Sequence, residues 1–349
     1  MYSFKNDYSE GAHPSVLEKL AITNFQQENG YGEDTYSRAA KDKLRAEMQN
    51  DEAVIHFVSG GTQTNLLVIS YLLRPHEAVI SAQTGHIYAN ETGAIEATGH
   101  RIIPVLSTNG KVTPEAIEEV LNAHYLRPHV VKPKLVYISN STEIGSIYTR
   151  EELQALYHLC EARQLFLFLD GARLGHALTA TESNLTLADV AKYTHVFYIG
   201  GTKNGALLGE AIVFRRQDIA QDFDYSLKQK GALLAKGRIL GIQFDQLFTD
   251  NLYYHLARHA NEMAMQIASH MRQLGCDFLT VPTTNQLFPI LPKVVIDALS
   301  ESYAFYIWSN IDEQHDAIRI ITSWATQQST VSQFNKDFTR IYENYLPIR

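Results

Sequence analysis

The chain alternates short apolar runs with longer segments in which apolar residues recur at helical spacing. Runs rich in Phe, Val and Ile that stop at glycine or a polar residue are typical of strands buried on both faces of a sheet. These runs fall at residues 53–58, 77–81, 101–105, 134–139 and 210–214, and two more stop at Asp170 and at Gly200. This rhythm predicts an α/β domain with a mostly parallel, doubly wound sheet.

The rhythm changes after about residue 240. Helical patterns cover residues 251–274 and 330–345, and shorter strands are predicted at residues 286–290, 304–308 and 319–324. A chain of 349 residues is also too long for one compact core. We therefore predict a large domain over residues 10–245 and a small α+β domain over residues 246–349, to which residues 1–9 also belong.

Composition excludes several classes of protein. The net charge is −8, and no basic stripe with interleaved aromatic residues is present, which argues against a nucleic-acid surface. No apolar run reaches membrane-spanning length, and the polar start MYSFKNDYSEG lacks a signal-peptide core. The only two cysteines, Cys160 and Cys276, form no metal or redox motif, and such low usage suits a reducing compartment. We expect a cytoplasmic protein without membrane or nucleic-acid partners and without a metal.

The candidate chemistry lies where two predicted strands end. Asp170 closes one buried run, and Lys203 follows the end of another, 33 positions later. Ligands of open α/β sheets bind at strand ends. A lysine that loses its proton can form a Schiff base with an aldehyde, and pyridoxal phosphate (PLP) needs such a lysine and a carboxylate facing its pyridine nitrogen. A solvated turn aspartate and a loop lysine are the alternative, which the pairing of the two residues disfavours.

A glycine turn supplies a candidate phosphate site. The run at residues 53–58 leads into Ser59-Gly60-Gly61-Thr62 and then into a helical pattern. Glycines at a helix start let free backbone N–H groups approach a phosphate, and the helix dipole favours its charge. Gly61 and Thr62 are the candidate ligands; the alternative is a plain glycine turn capped by Thr62.

Four segments together resemble one family. DGARLGHA, GGTKNGA, SGGTQTN and GHIYANETGA are similar to the PLP-dependent threonine aldolase and β-eliminating lyase family, from about Asp7 to the C-terminus. The resemblance implies the aspartate aminotransferase type of fold and PLP as the cofactor. It also implies a β-hydroxy-α-amino acid as the substrate, with cleavage of threonine or allo-threonine to glycine and acetaldehyde. Homodimers or homotetramers with sites at subunit interfaces are expected.

The resemblance also implies roles for individual residues near the cofactor. Lys203 would anchor PLP, Asp170 would face its pyridine nitrogen, and His86 would stack on its ring and serve as an acid or base. Thr202, the hydroxyl residue before the lysine, would contact the phosphate. Arg173 would bind the cofactor's phenolic oxygen or the substrate carboxylate; a structural ion pair at a helix start is its alternative.

Further roles concern the substrate and a neighbouring subunit. By resemblance, Arg319 would bind the substrate carboxylate, with Asn6 nearby, although an exposed charge on an edge strand remains open for Arg319. Tyr31 in the YGED segment would reach a neighbouring subunit's site, or else lie in a surface turn. Lys236 is the candidate to replace a family arginine that reaches a phosphate across the interface.

One departure keeps other reactions open. Where the family has a histidine that handles the substrate β-hydroxyl, this chain has Thr142. Glu143 or His86 would then have to take the hydroxyl proton. β-Elimination, racemisation and transamination therefore remain alternatives, as does a catalytically idle relative that acts as a binding or scaffold protein. A nucleotide-binding Rossmann protein is disfavoured, because no G-x-G-x-x-G follows the first strand.

Overall fold

The computed structural model of the protein describes residues 1–345. In chain order its strands are β1 Tyr2–Ser3, β2 Val54–Val58, β3 Glu77–Ala82, β4 Arg101–Val105, β5 Lys132–Ser139, β6 Phe166–Asp170, β7 Val196–Gly200, β8 Glu210–Phe214, β9 Gln286–Leu287, β10 Ile290–Pro292, β11 Tyr303–Ala304, β12 Tyr306–Asn310 and β13 His315–Ile321. Its α-helices are α1 Pro14–Ile22, α2 Thr35–Met48, α3 Gly61–Leu72, α4 His86–Ala89, α5 Pro114–Ala123, α6 Arg150–Ala162, α7 Leu174–Leu178, α8 Leu187–Lys192, α9 Phe223–Gln229, α10 Arg238–Leu247, α11 Leu252–Gln273, α12 Lys293–Ser300 and α13 Gln328–Tyr345.

A seven-stranded sheet forms the centre of the molecule, in the order β2-β8-β7-β6-β5-β3-β4. The pairs from β7 through β6, β5 and β3 to β4 are parallel, whereas β8 runs antiparallel to both of its neighbours. The sheet is therefore mostly parallel, as the sequence predicts. Most of its strand residues are buried because helices cover both faces, which explains why the strands are continuous apolar runs.

Five strand ends meet at one edge of this sheet. The register pairs Ser139 with Asp170 across β5 and β6, and Gly200 with Glu210 across β7 and β8. Val58, the last residue of β2, also pairs with Glu210, the first residue of β8. The antiparallel direction of β8 thus brings its first residue to the edge where β2, β5, β6 and β7 end.

The C-terminal part builds a second, smaller sheet against long helices. β10, β13 and β12 are antiparallel neighbours, and β9 pairs with the end of β13. The strand predicted at residues 286–290 is split, because Pro289 lies between its two pieces and has no N–H for a ladder. The strand predicted at residues 319–324 is wrong at both ends: β13 starts at His315, and after Ile321 the chain turns where Ser323 N–H donates to Thr326.

Helix α11 contributes to both halves of the molecule. Tyr253 and Leu256, in its first turns, pack in the core beneath the central sheet, whereas Ile267 and Met271 pack in the C-terminal core. The N-terminal segment joins the C-terminal part, because β1 pairs with β11 and Phe4 is buried in the same core. The division at residues 245 and 246 stays a prediction.

Two further features of the sequence can be compared with the structure. Both cysteines are free thiols and are buried, Cys160 as predicted from its place in an apolar helical pattern. Among the helices of residues 1–345, none combines the length and apolar character that a bilayer crossing requires.

The start of α6 offers a test of local stability. Thr149 accepts a hydrogen bond from the Glu152 N–H, and the Glu152 carboxylate accepts one from the Thr149 N–H, which completes a capping box. We predict that Thr149→Ala lowers the free energy of unfolding by about 1 kcal/mol in urea titrations. Thr149→Ser keeps the hydroxyl and should lose much less; equal losses in the two variants would show that the cap contributes nothing.

Candidate active site

A cavity of about 300 Å³ opens at the sheet edge where the strand ends meet. Its lining comes from the ends of β2, β5, β6 and β7, the start of β8, the first turns of α3 and α4, and the N-terminal segment. The lining residues are Tyr8, Ser59, Gly60, Gly61, Thr62, His86, Ser139, Ser141, Glu143, Asp170, Ala172, Arg173, Tyr198, Thr202, Lys203 and Glu210. Asp170 and Lys203 therefore face one cavity from adjacent strands.

The Asp170 carboxylate is surrounded by neutral hydrogen-bond donors. Its Oδ1 accepts from the Tyr198 hydroxyl at 2.6 Å and from the Ala172 N–H at 3.0 Å. Its Oδ2 accepts from the Tyr137 hydroxyl at 2.6 Å and from the Asn65 amide at 3.2 Å. Burial, together with the Asp170 charge, raises the pKa of both phenols well above the usual range, so both keep their protons and act as donors. These neutral donors fix the carboxylate in place, and no cation of the described part of the chain is in contact with it.

Lys203 lies in the turn that follows β7, as predicted. Burial lowers the pKa of its ammonium group, and the nearby Arg173 guanidinium lowers it further. The carboxylates of Asp7, Asp170 and Glu210 act in the opposite direction. Its Nζ lies 6.0 Å from the centre of the Tyr8 ring. The surroundings therefore make it easier for Lys203 to lose its proton, which covalent chemistry with an aldehyde requires.

The start of α3 is suited to a phosphate. Gly60 precedes the helix and makes no side-chain capping bond, so the first N–H groups of the helix are left for a ligand. A Cβ at Gly61 would lie 3.0 Å from the Tyr198 hydroxyl, so the close approach of helix and strand leaves no comfortable space for a side chain there. Gly61 and Thr62 both line the cavity, at the position predicted for them.

His86 belongs to a chain of hydrogen bonds that leads to Asp170. Its Nδ1 lies 2.9 Å from Glu91 Oε1, which also accepts from the Asn65 amide at 2.7 Å. The same amide nitrogen donates to Asp170. The His86 side chain is 37% exposed and lines the cavity. Glu91 therefore orients the ring through Nδ1, while the rest of the ring is accessible from the cavity.

Arg173 has a partner that the sequence did not reveal. Its Nε and Nη2 donate to the two oxygens of Asp7 at 2.7 and 3.0 Å, and the Asn285 amide donates to the same carboxylate at 2.9 Å. Asp7 is fully buried; burial raises its pKa, but the Arg173 charge prevails and holds it well below its usual value. Arg173 thus combines an ion pair with a place in the cavity wall. Asp7 stands in the sequence where the resemblance begins, but neither its burial nor its contact with Arg173 could be seen there.

Arg319 and Asn6 do not line the cavity. The Arg319 guanidinium lies between two rings, with its central carbon 5.4 Å from the centre of Tyr306 and 5.1 Å from that of Trp308. Its charge is close enough to Arg173 that burial and this repulsion lower its pKa. Asn6 Oδ1 accepts from the Tyr8 N–H at 3.0 Å and shapes the turn that brings Tyr8 to the cavity.

Tyr31 and Lys236 lie together, away from the cavity. The Tyr31 N–H donates to the Ala235 carbonyl at 3.1 Å, and the Lys228 ammonium lies 4.4 Å from the centre of the Tyr31 ring. Tyr31 is 48% exposed and lines a separate cavity of about 210 Å³. Lys236 is exposed. The two segments predicted to reach a neighbouring subunit therefore form one surface.

The structure also changes the picture around Thr202 and Thr142. The Thr202 hydroxyl lines the cavity but donates to Glu210 at 2.8 Å and accepts from the Gly209 N–H at 3.0 Å.

Thr142 is buried and bonds to the Ser146 hydroxyl at 2.8 Å, outside the cavity lining. Glu143 does line the cavity, where it accepts from Ser139 at 2.6 Å and from the His86 N–H at 2.9 Å. The sequence analysis placed Glu210 at the start of a strand but did not predict that it lines the cavity.

The donor set fits PLP. One cavity offers an amine for its aldehyde, a fixed carboxylate for its pyridine nitrogen and an uncapped helix start for its phosphate. Within residues 1–345, no cluster of His, Cys, Asp and Glu could hold a metal ion.

The buried ion pair supplies a second test of stability. We predict that Asp7→Ala destabilises the fold by about 3–5 kcal/mol, because Arg173 is left as a buried charge without its counter-ion. The double variant Asp7→Ala/Arg173→Met removes both charges and should be more stable than Asp7→Ala alone in urea unfolding. A double variant that unfolds as early as the single one would contradict this account of the pair.

Comparison with known proteins agrees with this geometry. The family model described as "Beta-eliminating lyase" matches residues 7–293. The low specificity L-threonine aldolases of a Pseudomonas species and of Pseudomonas aeruginosa are 31% and 30% identical, over 97% and 96% of this chain and of their own.

Solved structures agree as well. The threonine aldolase of Leishmania major is 42% identical, with a TM-score of 0.96 over 98% of this chain and 99% of that one. A single mutant of the Thermus thermophilus aspartate aminotransferase shares the fold alone, with 14% identity and a TM-score of 0.73 over 98% and 91% of the two chains. The chain therefore belongs to the β-eliminating lyase family of PLP-dependent enzymes with the aspartate aminotransferase fold.

Proposed function

We propose that this protein is a lyase that cleaves threonine or allo-threonine to glycine and acetaldehyde. The observation that carries the proposal is the convergence of Asp170, Lys203 and the start of α3 on one cavity. The relatives that are 30% identical or more over nearly the whole chain are named threonine aldolases, which supports this reaction over others.

The cofactor would be held at three points. Bound PLP supplies a protonated ring that takes up the electron pair released when a bond to Cα breaks. Lys203 would hold the aldehyde carbon, Asp170 the pyridine nitrogen, and Gly61 with Thr62 the phosphate. His86 would cover the ring, and Thr202 would steady the lysine turn through its bonds to Glu210 and Gly209.

Two arginines would bind the substrate carboxylate. Arg173 uses Nε and Nη2 for Asp7, which leaves Nη1 for a ligand in the cavity. Arg319 keeps its Nε buried and without a hydrogen-bond partner among the described residues, and two aromatic rings fix its plane. A planar guanidinium held this way is suited to a carboxylate. Asn6 would act through the turn that it stabilises beside Tyr8.

Cleavage of the Cα–Cβ bond requires a group that takes the proton of the β-hydroxyl. Thr142 is turned toward Ser146 and does not line the cavity. His86 is the better candidate, because Glu91 orients its ring and the open side faces the cavity. Glu143, which binds the His86 N–H, is the second candidate: burial raises its pKa, and Ser139 partly offsets that shift. The proton would then return to Cα to give glycine.

β-Elimination is the second candidate reaction. The position at which the family carries its histidine is occupied by Thr142, which has no access to the cavity. An enzyme without that group would favour loss of a β-substituent over retro-aldol cleavage. Racemisation and transamination need no group at Cβ. They are less favoured because the relatives are named as aldolases.

We infer that the protein works as a homodimer or homotetramer. Tyr31 and Lys236 would serve the site of a neighbouring subunit, which fits their shared surface and their distance from the cavity of their own chain. We also infer a cytoplasmic location, which the two free, buried thiols support because a reducing compartment keeps thiols unpaired.

The anchor is tested by replacing Lys203. We predict that Lys203→Ala abolishes the visible absorption band of the protein incubated with PLP and lowers kcat with threonine by at least about a thousandfold, because covalent catalysis needs the amine. Lys192→Ala, on the exposed end of α8, is the matched control and should keep both. A Lys203→Ala protein that retains the band would exclude Lys203 as the anchor.

The reaction type is tested by products. We predict that the protein with PLP releases glycine and acetaldehyde from threonine at least about tenfold faster than it releases pyruvate from serine or cysteine, because the relatives' named chemistry is aldol cleavage. Coupled assays for acetaldehyde and pyruvate measure both on one preparation. Faster pyruvate release would assign the protein to β-elimination, and no product with either substrate would favour an idle relative.

A further inference from the structure

Glu210 is a buried carboxyl group for which the proposed reaction has no use. It is the first residue of β8, is 4% exposed and lines the same cavity as Lys203. Its Oε1 accepts from the Thr202 hydroxyl at 2.8 Å and its Oε2 from the Gly201 N–H at 3.1 Å. Both donors belong to the turn that carries Lys203.

We propose that Glu210 is the proton partner of Lys203: it takes up the proton that the lysine must lose, and its two hydrogen bonds position the lysine turn. The inference rests on the proposed role of Lys203 as the cofactor anchor. The exchange converts an ammonium and a carboxylate into a neutral amine and a carboxylic acid. One proton moves, and the total charge of the pair is unchanged.

A comparison of the three carboxylates near Lys203 singles out Glu210. Asp7 is bound by both prongs of Arg173 and by Asn285, so a proton there would break a buried ion pair. Asp170 accepts four hydrogen bonds from neutral donors. Glu210 accepts only two, and among the described residues no cation, Lys203 included, lies within ion-pair distance of it. The two groups face the same cavity without direct contact. Glu210 is the least compensated of the three, and a buried carboxylate in that position gains most from protonation.

The electrostatics of the two groups agree with an exchange near neutral pH. Burial raises the pKa of Glu210 to about 8, although Thr202, Lys203 and the Gly201 N–H work against the rise and Asp170 adds to it. Burial and Arg173 lower the pKa of Lys203. The two pKa values move toward each other, which is the condition that the exchange of one proton between the two groups requires.

The other groups that face Glu210 do not compete for this proton. They are Asp170 at the end of β6, Tyr198 on β7 and Tyr253 on α11. Burial raises the pKa of both phenols far above neutral, so they stay protonated. The Asp170 oxygens are occupied by their own donors. Lys203 remains the group that exchanges.

The hydrogen bonds of Glu210 also fix the turn itself. The Thr202 hydroxyl that donates to Glu210 accepts from the Gly209 N–H, and the Gly201 N–H also approaches the Gly209 carbonyl at 3.0 Å. Glu210 is directly opposite Gly200 in the ladder between β7 and β8. The carboxyl group therefore holds the turn before Lys203 against the start of β8, which sets the direction of the lysine side chain.

The test measures the protonation of Lys203 directly. The full-length chain, freed of cofactor, is labelled briefly with acetic anhydride across the neutral and alkaline range, and acetylation of the Lys203 peptide is quantified by mass spectrometry. Only the neutral amine reacts. In the wild-type protein we expect the labelling rate to rise in two steps with pH, because the ionised carboxylate of Glu210 stabilises the last proton on the lysine.

Glu210→Gln keeps the shape of the side chain and removes the second titrating group. The rise should become a single step that is complete about one pH unit lower, equivalent to roughly tenfold faster labelling on the upper part of the wild-type curve. Glu210→Asp keeps the acid and should retain two steps. Glu143→Gln, the same change at the other glutamate of the cavity, is the matched control and should also retain two steps.

Several outcomes would overturn the proposal. A labelling rate of Lys203 that rises with pH in a single step in the wild-type protein would contradict the proposal, whatever the variants show. Profiles that coincide for wild type and Glu210→Gln, with both proteins folded by circular dichroism, would leave Glu210 only a structural role. Equal displacement by Glu143→Gln would attribute the effect to the general charge of the cavity. Because the readout is lysine reactivity without cofactor, it stands apart from the Lys203→Ala experiment on PLP binding.

Discussion

The site depends on the buried carboxylate of Asp170, which accepts hydrogen bonds from neutral groups and has no ion-pair partner among the described residues. Asp170 closes β6 in the interior, where an unsatisfied charge would be very costly. Four neutral donors from β5, β7, α3 and the following turn replace its water. Among residues 1–345 no cation forms an ion pair with it, so its charge can act on a ligand in the cavity. The two large phenols that provide the shortest bonds are also core residues of the sheet.

Most charged side chains near this carboxylate contact a partner of their own. Asp7 and Arg173 satisfy each other, and Arg319 is held between aromatic rings. Lys203 is left with carboxylates at a distance and a guanidinium that repels its proton. The carboxylates nearest to it accept hydrogen bonds from other groups. The fold produces this arrangement by placing Asp7 of the N-terminal segment against Arg173 in the cavity wall.

The central sheet and the positions of Asp170 and Lys203 could be predicted because both follow from where the buried strands end. Apolar runs mark buried strands, and the residues that follow such strands must meet at one edge. The start of β8 could not be predicted this way: Glu210 precedes an apolar run, and an acid at that place is usually solvated. Only the antiparallel direction of β8 brings it to the cavity. The contact of Asp7 with Arg173 spans 166 positions, and no local pattern announces it. The C-terminal strands were misjudged where Pro289 and the Ser323 turn interrupt the ladder, since alternation alone ignores missing donors.

The Tyr198 hydroxyl connects two ends of the cavity that serve different purposes. It donates to Asp170, and it lies 3.0 Å from the place that the Cβ atom of a side chain at position 61 would take. Enlarging position 61 would push this phenol, and the push would reach the carboxylate through a single oxygen atom. In the proposed binding mode, the phosphate site at the start of α3 and the carboxylate that faces the pyridine nitrogen would thus be mechanically joined through Tyr198. A substitution at position 61 would therefore also displace Asp170, and this coupling limits the residues that position 61 can accept.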